Sequence, residues 1–270
     1  MNKIIKQLYK MLSDFIQRKL RYFLGIIAID NRLQAIDNCL QAIDNRLQAV
    51  EIKQGYEHVT QLGSESENPI IKRSSNVPGW LFEEEHEFVY QQALSAPPGQ
   101  FIEIGVLFGK SLSILAGAVE QRNYGEKIFA IDPFTLEGNT RDQLVHKTTH
   151  PGYKYSFDLF IQKSIELDYH KYIIPIATFS HLCLPFIEIK ISFAFIDASH
   201  EKEAVKTDFS LIKSKLVEGA IILFHDALSE TYPGVMEAIK EILQENPEYY
   251  QIAQAGSIVA IQYKGYNSPR

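Results

Sequence analysis

Five side chains able to carry charge stand at or just beyond the ends of short apolar runs, Asp132, Asp197, His200, His225 and Asp226, and a sixth, Glu103, lies within the first run just before its glycine turn. The runs are FIEIGV (101–106), KIFAID (127–132), SFAFID (192–197) and AIILFHD (220–226). Two carboxylates and an imidazole can hold a divalent cation, which makes Asp197, His225 and Asp226 candidate metal-binding residues. An imidazole or carboxylate can equally take a proton, which makes Asp197, His200 and His225 candidates for catalysis. Asp132 ends its run, where an acid can accept hydrogen bonds from two ribose hydroxyls; the plainer reading is a turn aspartate before Pro133. Gly105 and Gly109 bracket a tight turn that lets backbone approach a ligand and leaves helix N–H groups open. The G-x-G-x-x-G of dinucleotide sites is missing, which counts against a nicotinamide-dependent oxidoreductase. Any one of these residues alone reads as a solvated cap of the next helix. Their recurrence at successive run ends favours a site.

The elements that must position them follow an alternation of short apolar runs and amphipathic helices, the pattern of a doubly wound, mostly parallel sheet. Strands are expected at 101–106, 127–132, 172–176, 192–197 and 220–226, with helices near 109–120, 157–167, 201–216 and 235–243. Glu218 and Gly219 are expected to connect a helix to the fifth strand. YYQIAQA and SIVAIQY, separated by Gly256, predict a closing antiparallel hairpin, for seven strands in all. In such sheets ligands bind beyond the carboxyl ends of the strands, where the strand order reverses. The polar loop over 133–153, with His146, His150 and Tyr153, either covers an acceptor or is a solvated insertion.

The first 54 residues follow a different rule. AIDNRLQ, AIDNCLQ, AIDNRLQ and AVEIKQG repeat every seven residues. The register places Ile5, Leu12, Lys19, Ile26, Leu33, Leu40 and Leu47 at one seam position, with Leu8, Phe15, Tyr22, Ile29, Ile36, Ile43 and Val50 at the other. This predicts a long coiled-coil helix over 1–54, and Leu at a with Ile at d favours trimers or tetramers over dimers. A single solvated helix folding back on its own domain is the plainer alternative. Residues 1–27 carry six basic residues against one acid, so a basic amphipathic helix on an acidic membrane surface competes there. Residues 55–77 read as a linker, 78–265 as the main domain and 266–270 as a tail.

The 270-residue chain carries a net charge of −6, which argues against nucleic acid as a partner. Its two cysteines, Cys39 and Cys183, form neither a disulfide framework nor a zinc spacing, which points to a reducing cytoplasm. The early apolar run at 22–29 is too short to cross a bilayer, which needs about 20 residues.

The segments FIEIGVLFGKSLSILAGA, KIFAIDPF and FAFIDASHEKEAVKTDFSLIKSKLVEGAIILFHDA resemble successive motifs of class I S-adenosylmethionine-dependent methyltransferases. The closest likeness is to the bacterial sugar and macrolide O-methyltransferases. The resemblance implies a Rossmann-like methyltransferase fold and O-methylation of a small hydroxyl acceptor such as a saccharide. It further implies that Glu103, Gly105 and Gly109 wall the methionine end of S-adenosylmethionine, with Ser111 near its carboxylate. Asp132 then binds the ribose, and the segment Thr178-Phe179-Ser180 borders the adenine. Asp197 and the pair 225–226 match positions that hold Mg2+ in metal-dependent members. This sequence has His225 where those enzymes have an acid, and a hard cation prefers oxygen. A different class of reading is an assembly protein whose coiled coil carries the function and whose domain binds a ligand without catalysis.

Overall fold

The computed structural model describes residues 68–135 and 156–265, all within one compact unit spanning Thr60–Arg270. The heptads, the basic segment 1–27 and the loop histidines lie outside the described residues. In chain order the elements are α1 (Pro69–Ser74), α2 (Glu83–Ser95), β1 (Gln100–Ile104), α3 (Lys110–Arg122), β2 (Ile128–Asp132), α4 (Ser156–Glu166), β3 (Ile173–Ala177), α5 (Ser180–Cys183), β4 (Ile191–Ile196), α6 (Lys202–Lys213), β5 (Leu216–Phe224), α7 (Pro233–Glu245), β6 (Tyr249–Ala255) and β7 (Ile258–Tyr263).

The strands form one sheet in the order β3-β2-β1-β4-β5-β7-β6. All pairings are parallel except those of β7, which runs antiparallel to both β5 and β6. The order reverses between β1 and β4, so the expected binding crevice opens there.

Side chains alternate across the sheet with a period of two. Phe101, Ala130, Phe193, Phe195 and Leu223 join Val89, Leu112, Leu115 and Phe160 in one core. Ile102, Ile104, Ile131, Ala194 and Phe224 join Val205, Phe209, Ile239 and Ile242 in the other. Helices α1 to α4 thus supply one face and α6 and α7 the other, and β4 is buried at every position. Helix α3 is buried continuously from Ser111 to Val119, the mark of a helix enclosed on all sides. Pro175 falls in β3 at the sheet edge, where its missing N–H costs no ladder bond.

Three boundaries differ from expectation. Residues 68–77 are not linker: Asn68 caps α1 by accepting from the Ile70 N–H at 3.0 Å, and Ile71 and Val77 are fully buried. Helix α6 stops at Lys213, and β5 begins at Leu216. Glu218 and Gly219 therefore lie inside that strand, at a register shift where one residue of β4, Ser192, stands against four of β5, 217–220. Helix α2 carries no signal strong enough to predict, because its acids and aromatics lack a clear apolar stripe. That helix nevertheless supplies a residue of the site.

Candidate active site

The carboxyl ends of β1 and β2 are joined by hydrogen bonds between an acid and backbone. Asp132 Oδ2 accepts from the N–H groups of Val106 and Leu107 at 2.7 and 3.0 Å, and its Oδ1 accepts from Phe134 N–H at 2.5 Å. Burial raises its pKa, while these three donors pull the other way. Asp132 is thus a turn-fixing acid as well as a candidate ribose ligand. Leu107 and Phe134 in those turns have positive φ (51° and 53°), as does Asp226 just after β5 (56°). Such backbone costs of order 1–3 kcal/mol each and collects where geometry is over-determined.

Glu103 points to the α3 face of the sheet and is fully buried. Its Oε1 accepts from the Ser111 hydroxyl at 2.5 Å, while Oε2 has no partner among the described residues. Burial holds its pKa well above the ordinary carboxylate range; the Ser111 bond offsets part of that, and the nearby charges of Asp197 and Asp132 add to it. Gly105 follows with φ +90°, and a Cβ there would lie 2.2 Å from the Asp197 carbonyl oxygen. Only glycine lets the β1 turn press this closely on the end of β4. Gly109 is the N-cap of α3, so the turn runs straight into the helix that carries Ser111.

Beyond β3, Ser180 opens the short α5, and its hydroxyl donates to Asp208 Oδ1 on α6. Its neighbour Phe179 is half exposed and stacks on the His181 ring at 5.7 Å.

At the ends of β4 and β5 the remaining residues form one chain of contacts. His225 Nδ1 lies 3.0 Å from Asp197 Oδ1 and 3.3 Å from Asp226 Oδ2. Its Nε2 lies 3.3 Å from Glu85 Oε2. His200 Nε2 lies 3.1 Å from Asp226 Oδ2 and 4.0 Å from Asp197 Oδ1, and the His200 ring stacks on Tyr232 with centroids 3.9 Å apart. Burial alone would lower the His225 pKa, but the charge and hydrogen bond of Asp197, with bonds from Asp226 and Glu85, drive it far up. Burial would raise Asp226; bonds from His200 and His225 instead hold it well below the usual carboxylate range.

The candidates therefore divide into two adjoining groups. Glu103, Gly105, Gly109, Ser111 and Asp132 gather at the β1–β2 side, and Asp197, His200, His225 and Asp226 at the β4–β5 side. Ser180 stands apart, with its hydroxyl turned to α6. Two residues escape sequence reasoning. Glu85, fully buried on α2, accepts from Ser257 N–H and Oγ–H at 2.6 and 2.8 Å and from Phe82 N–H at 2.8 Å. Gly256 makes room for it: φ is +54°, and a Cβ would meet Glu85 Cγ at 2.5 Å. In the sequence Glu85 belongs to an acidic run, Glu83-Glu84-Glu85, that reads as first-turn charges on a helix. Tyr232, the other, has no motif around it.

Asp197, His225 and Asp226 each offer an atom within 4.8 Å of the others, the one such grouping among the described residues. No helix among them is long and apolar enough to cross a membrane.

Residues 102–227 match the family model described as a methyltransferase domain. Among solved structures, the chain is similar to the O-methyltransferase NovP at 14% identity, covering 68% of this chain and 81% of that one with a TM-score of 0.56. It is similar to the O-methyltransferase TomG of Streptomyces achromogenes, solved with SAM, at 14% identity (76% and 94% covered, TM-score 0.52). A Bacillus cereus O-methyltransferase in complex with SAH shares 15% identity, with 83% and 97% covered and a TM-score of 0.51. At these identities the likeness establishes the Rossmann-like methyltransferase fold. A comparison with the curated proteins finds no match.

Proposed function

From the methyltransferase domain at 102–227, we propose that this chain transfers a methyl group from S-adenosylmethionine to a hydroxyl of a small metabolite, a sugar among the candidates. The observation that carries the reading is Glu103 Oε2, a fully buried acceptor beside the glycine turn with no donor among the described residues. A buried acceptor left unpaired is costly, so it fits a partner that arrives with the ligand. The ammonium of an amino-acid tail is such a partner. Asp132 fits the ribose hydroxyls, since an ionised carboxylate has about four lone-pair sites and backbone uses three. Gly105, Gly109 and Ser111 complete the methionine side. The segment 178–180 borders the adenine through backbone and the exposed Phe179 face.

S-adenosylmethionine supplies a methyl group already activated by its positive sulfur, so the protein's task is alignment and removal of one proton. We assign that proton to His200. Its Nε2 lies 3.1 Å from Asp226 Oδ2. Asp226 then stabilises the imidazolium that forms, as a carboxylate does behind any histidine base. Asp197, at the reversal point of the sheet, lies between this pair and the glycine turn. The structural neighbours named above are O-methyltransferases, which agrees with a hydroxyl acceptor.

Calorimetry of S-adenosylmethionine against the full chain tests this directly. Micromolar binding is expected, lost in Asp132→Ala while the variant still melts cooperatively. Absence of binding by the wild type would remove the reading, and equal affinity in the variant would remove the ribose assignment.

A further inference from the structure

The fold family raises the question of a divalent cation between β4 and β5, and the donor set answers against a hard one. We infer that the imidazolium of His225, held from behind by Glu85, does the work of that cation: it gathers Asp197 and Asp226 without metal. This rests on the methyltransferase reading only for its functional consequence, since the arrangement of charges stands on geometry alone.

Both ring nitrogens of His225 face carboxylate oxygens, Nδ1 toward Asp197 and Asp226 and Nε2 toward Glu85. A neutral imidazole has one N–H and one lone pair, so one of these contacts would set a lone pair against an anionic oxygen. A ring with both nitrogens protonated makes charge-assisted bonds to Asp197 and Glu85 and an ion-pair contact with Asp226 at 3.3 Å. Such a ring has no lone pair left to coordinate a metal. A cation entering between Asp197 and Asp226 would also have to displace the N–H that already joins them.

The surroundings agree. Three carboxylates converge on a ring whose side chain is 4% exposed, and Glu85 is wholly buried. Glu85 is built into place: Ser257 supplies two hydrogen bonds to Oε1, the start of α2 supplies one to Oε2, and Gly256 leaves room for its stem. The edge of Phe195 closes another side of the ring at 6.0 Å. A dication in the same space would be left with one nitrogen and few oxygens, whereas Mg2+ demands near-octahedral oxygen ligands. His225 therefore acts as a positioning residue. It sets the two acids at the rim, and through Asp226 it sets the angle of His200.

The test combines a spectrum with a metal titration on the full chain. With 15N-labelled histidine, one ring is expected to keep both nitrogens at imidazolium shifts at about pH 8, well above the ~6.5 at which a free ring loses its charge. That signal should disappear in His225→Asn. Mn2+, followed by its electron paramagnetic resonance, should not bind the wild type in the millimolar range. In His225→Asp, which restores an acid, Mn2+ should bind about tenfold tighter or better. A neutral His225 in the wild-type spectrum, or Mn2+ bound by the wild type and lost in His225→Asn, would overturn the inference. If His225→Asp does not fold, the wild-type spectrum and titration decide the matter alone. Calorimetry with S-adenosylmethionine on the same samples separates the two readings: cofactor binding together with Mn2+ binding defeats only this inference, and its absence defeats only the methyltransferase reading.

Discussion

The two halves of the rim solve the same electrostatic problem in opposite ways. At the β1–β2 ends, Glu103 and Asp132 take their hydrogen bonds from a serine and three backbone N–H groups, and burial raises both pKa values. At the β4–β5 ends, acids and imidazoles alternate, and Asp226 and Glu85 are held below their ordinary values by the rings beside them. The first half thus holds acids whose charge burial disfavours and beside which it places no cation of its own, which suits a ligand bearing a sulfonium and an ammonium. The second meets its acids with imidazole N–H groups of its own, which suits a neutral acceptor whose proton must be moved. Charge supplied by the ligand and charge supplied by the fold are the two regimes.

The largest effect expected from breaking this comparison is on the imidazole-paired half. Glu85→Ala removes the acceptor for Ser257, Phe82 and His225 at once and leaves the ring with less compensation. Removing one partner of a buried ion pair costs about 3–5 kcal/mol. Chemical denaturation near neutral pH should read a loss of that size, and a loss under about 1 kcal/mol would show that Glu85 is not coupled to the ring. The pH dependence has a definite sign. Burial would raise Glu85, but the bond to and charge of His225 lower it on balance, and Asp226 is lowered likewise. Their stabilisation is present above the unfolded carboxylate values of about 4 and lost as pH falls through the folded ones. The gap between wild type and variant should therefore narrow in acid.

This division also explains what the sequence could tell. Apolar runs at 101–106, 127–132, 192–197 and 220–226 were sufficient to predict the parallel strands, because buried strands need near-continuous apolar residues. Acids and histidines at their ends were readable for the same reason: a polar residue closing such a run stands out. Glu85 was not readable. Its role depends on a contact 140 residues away in sequence, and nothing local distinguishes it from Glu83 or Glu84. Residues 68–77 read as linker because their polar composition masks Ile71 and Val77, two buried anchors that become visible only with something to pack against. The start of β5 is hidden in the sequence because Glu218 and Gly219 resemble a turn, whereas the strand absorbs them as an irregularity against β4.

A smaller effect probes the half without imidazoles. Glu103→Gln keeps an acceptor for Ser111 and removes the ionisable group. The folded protein disfavours ionised Glu103, so above the ordinary carboxylate pKa this residue weakens the empty protein. The variant should therefore be no less stable than wild type at neutral pH, yet bind S-adenosylmethionine more weakly by about 1.5–3 kcal/mol. Wild-type binding should also release a proton, because a cation beside Oε2 favours the ionised form. Calorimetry in buffers of differing ionisation enthalpy measures that release. Unchanged affinity, with no proton released, would mean that Glu103 serves the fold and not the ligand.

The smallest effect separates a positional resemblance from a contact. Ser180 follows β3 where the adenine is expected, but its hydroxyl is committed to Asp208, a side chain only 5% exposed. Burial raises the Asp208 pKa, and the Ser180 bond offsets part of that rise. Ser180→Ala should accordingly cost about 1–3 kcal/mol of stability, because a buried acceptor loses its donor. Cofactor affinity should change little, since the adenine would meet backbone and Phe179 and not this hydroxyl. A variant that binds several times more weakly while melting like the wild type would reverse the assignment. It would place the Ser180 hydroxyl on the ligand and extend the ligand-charged half of the rim past β2 to β3.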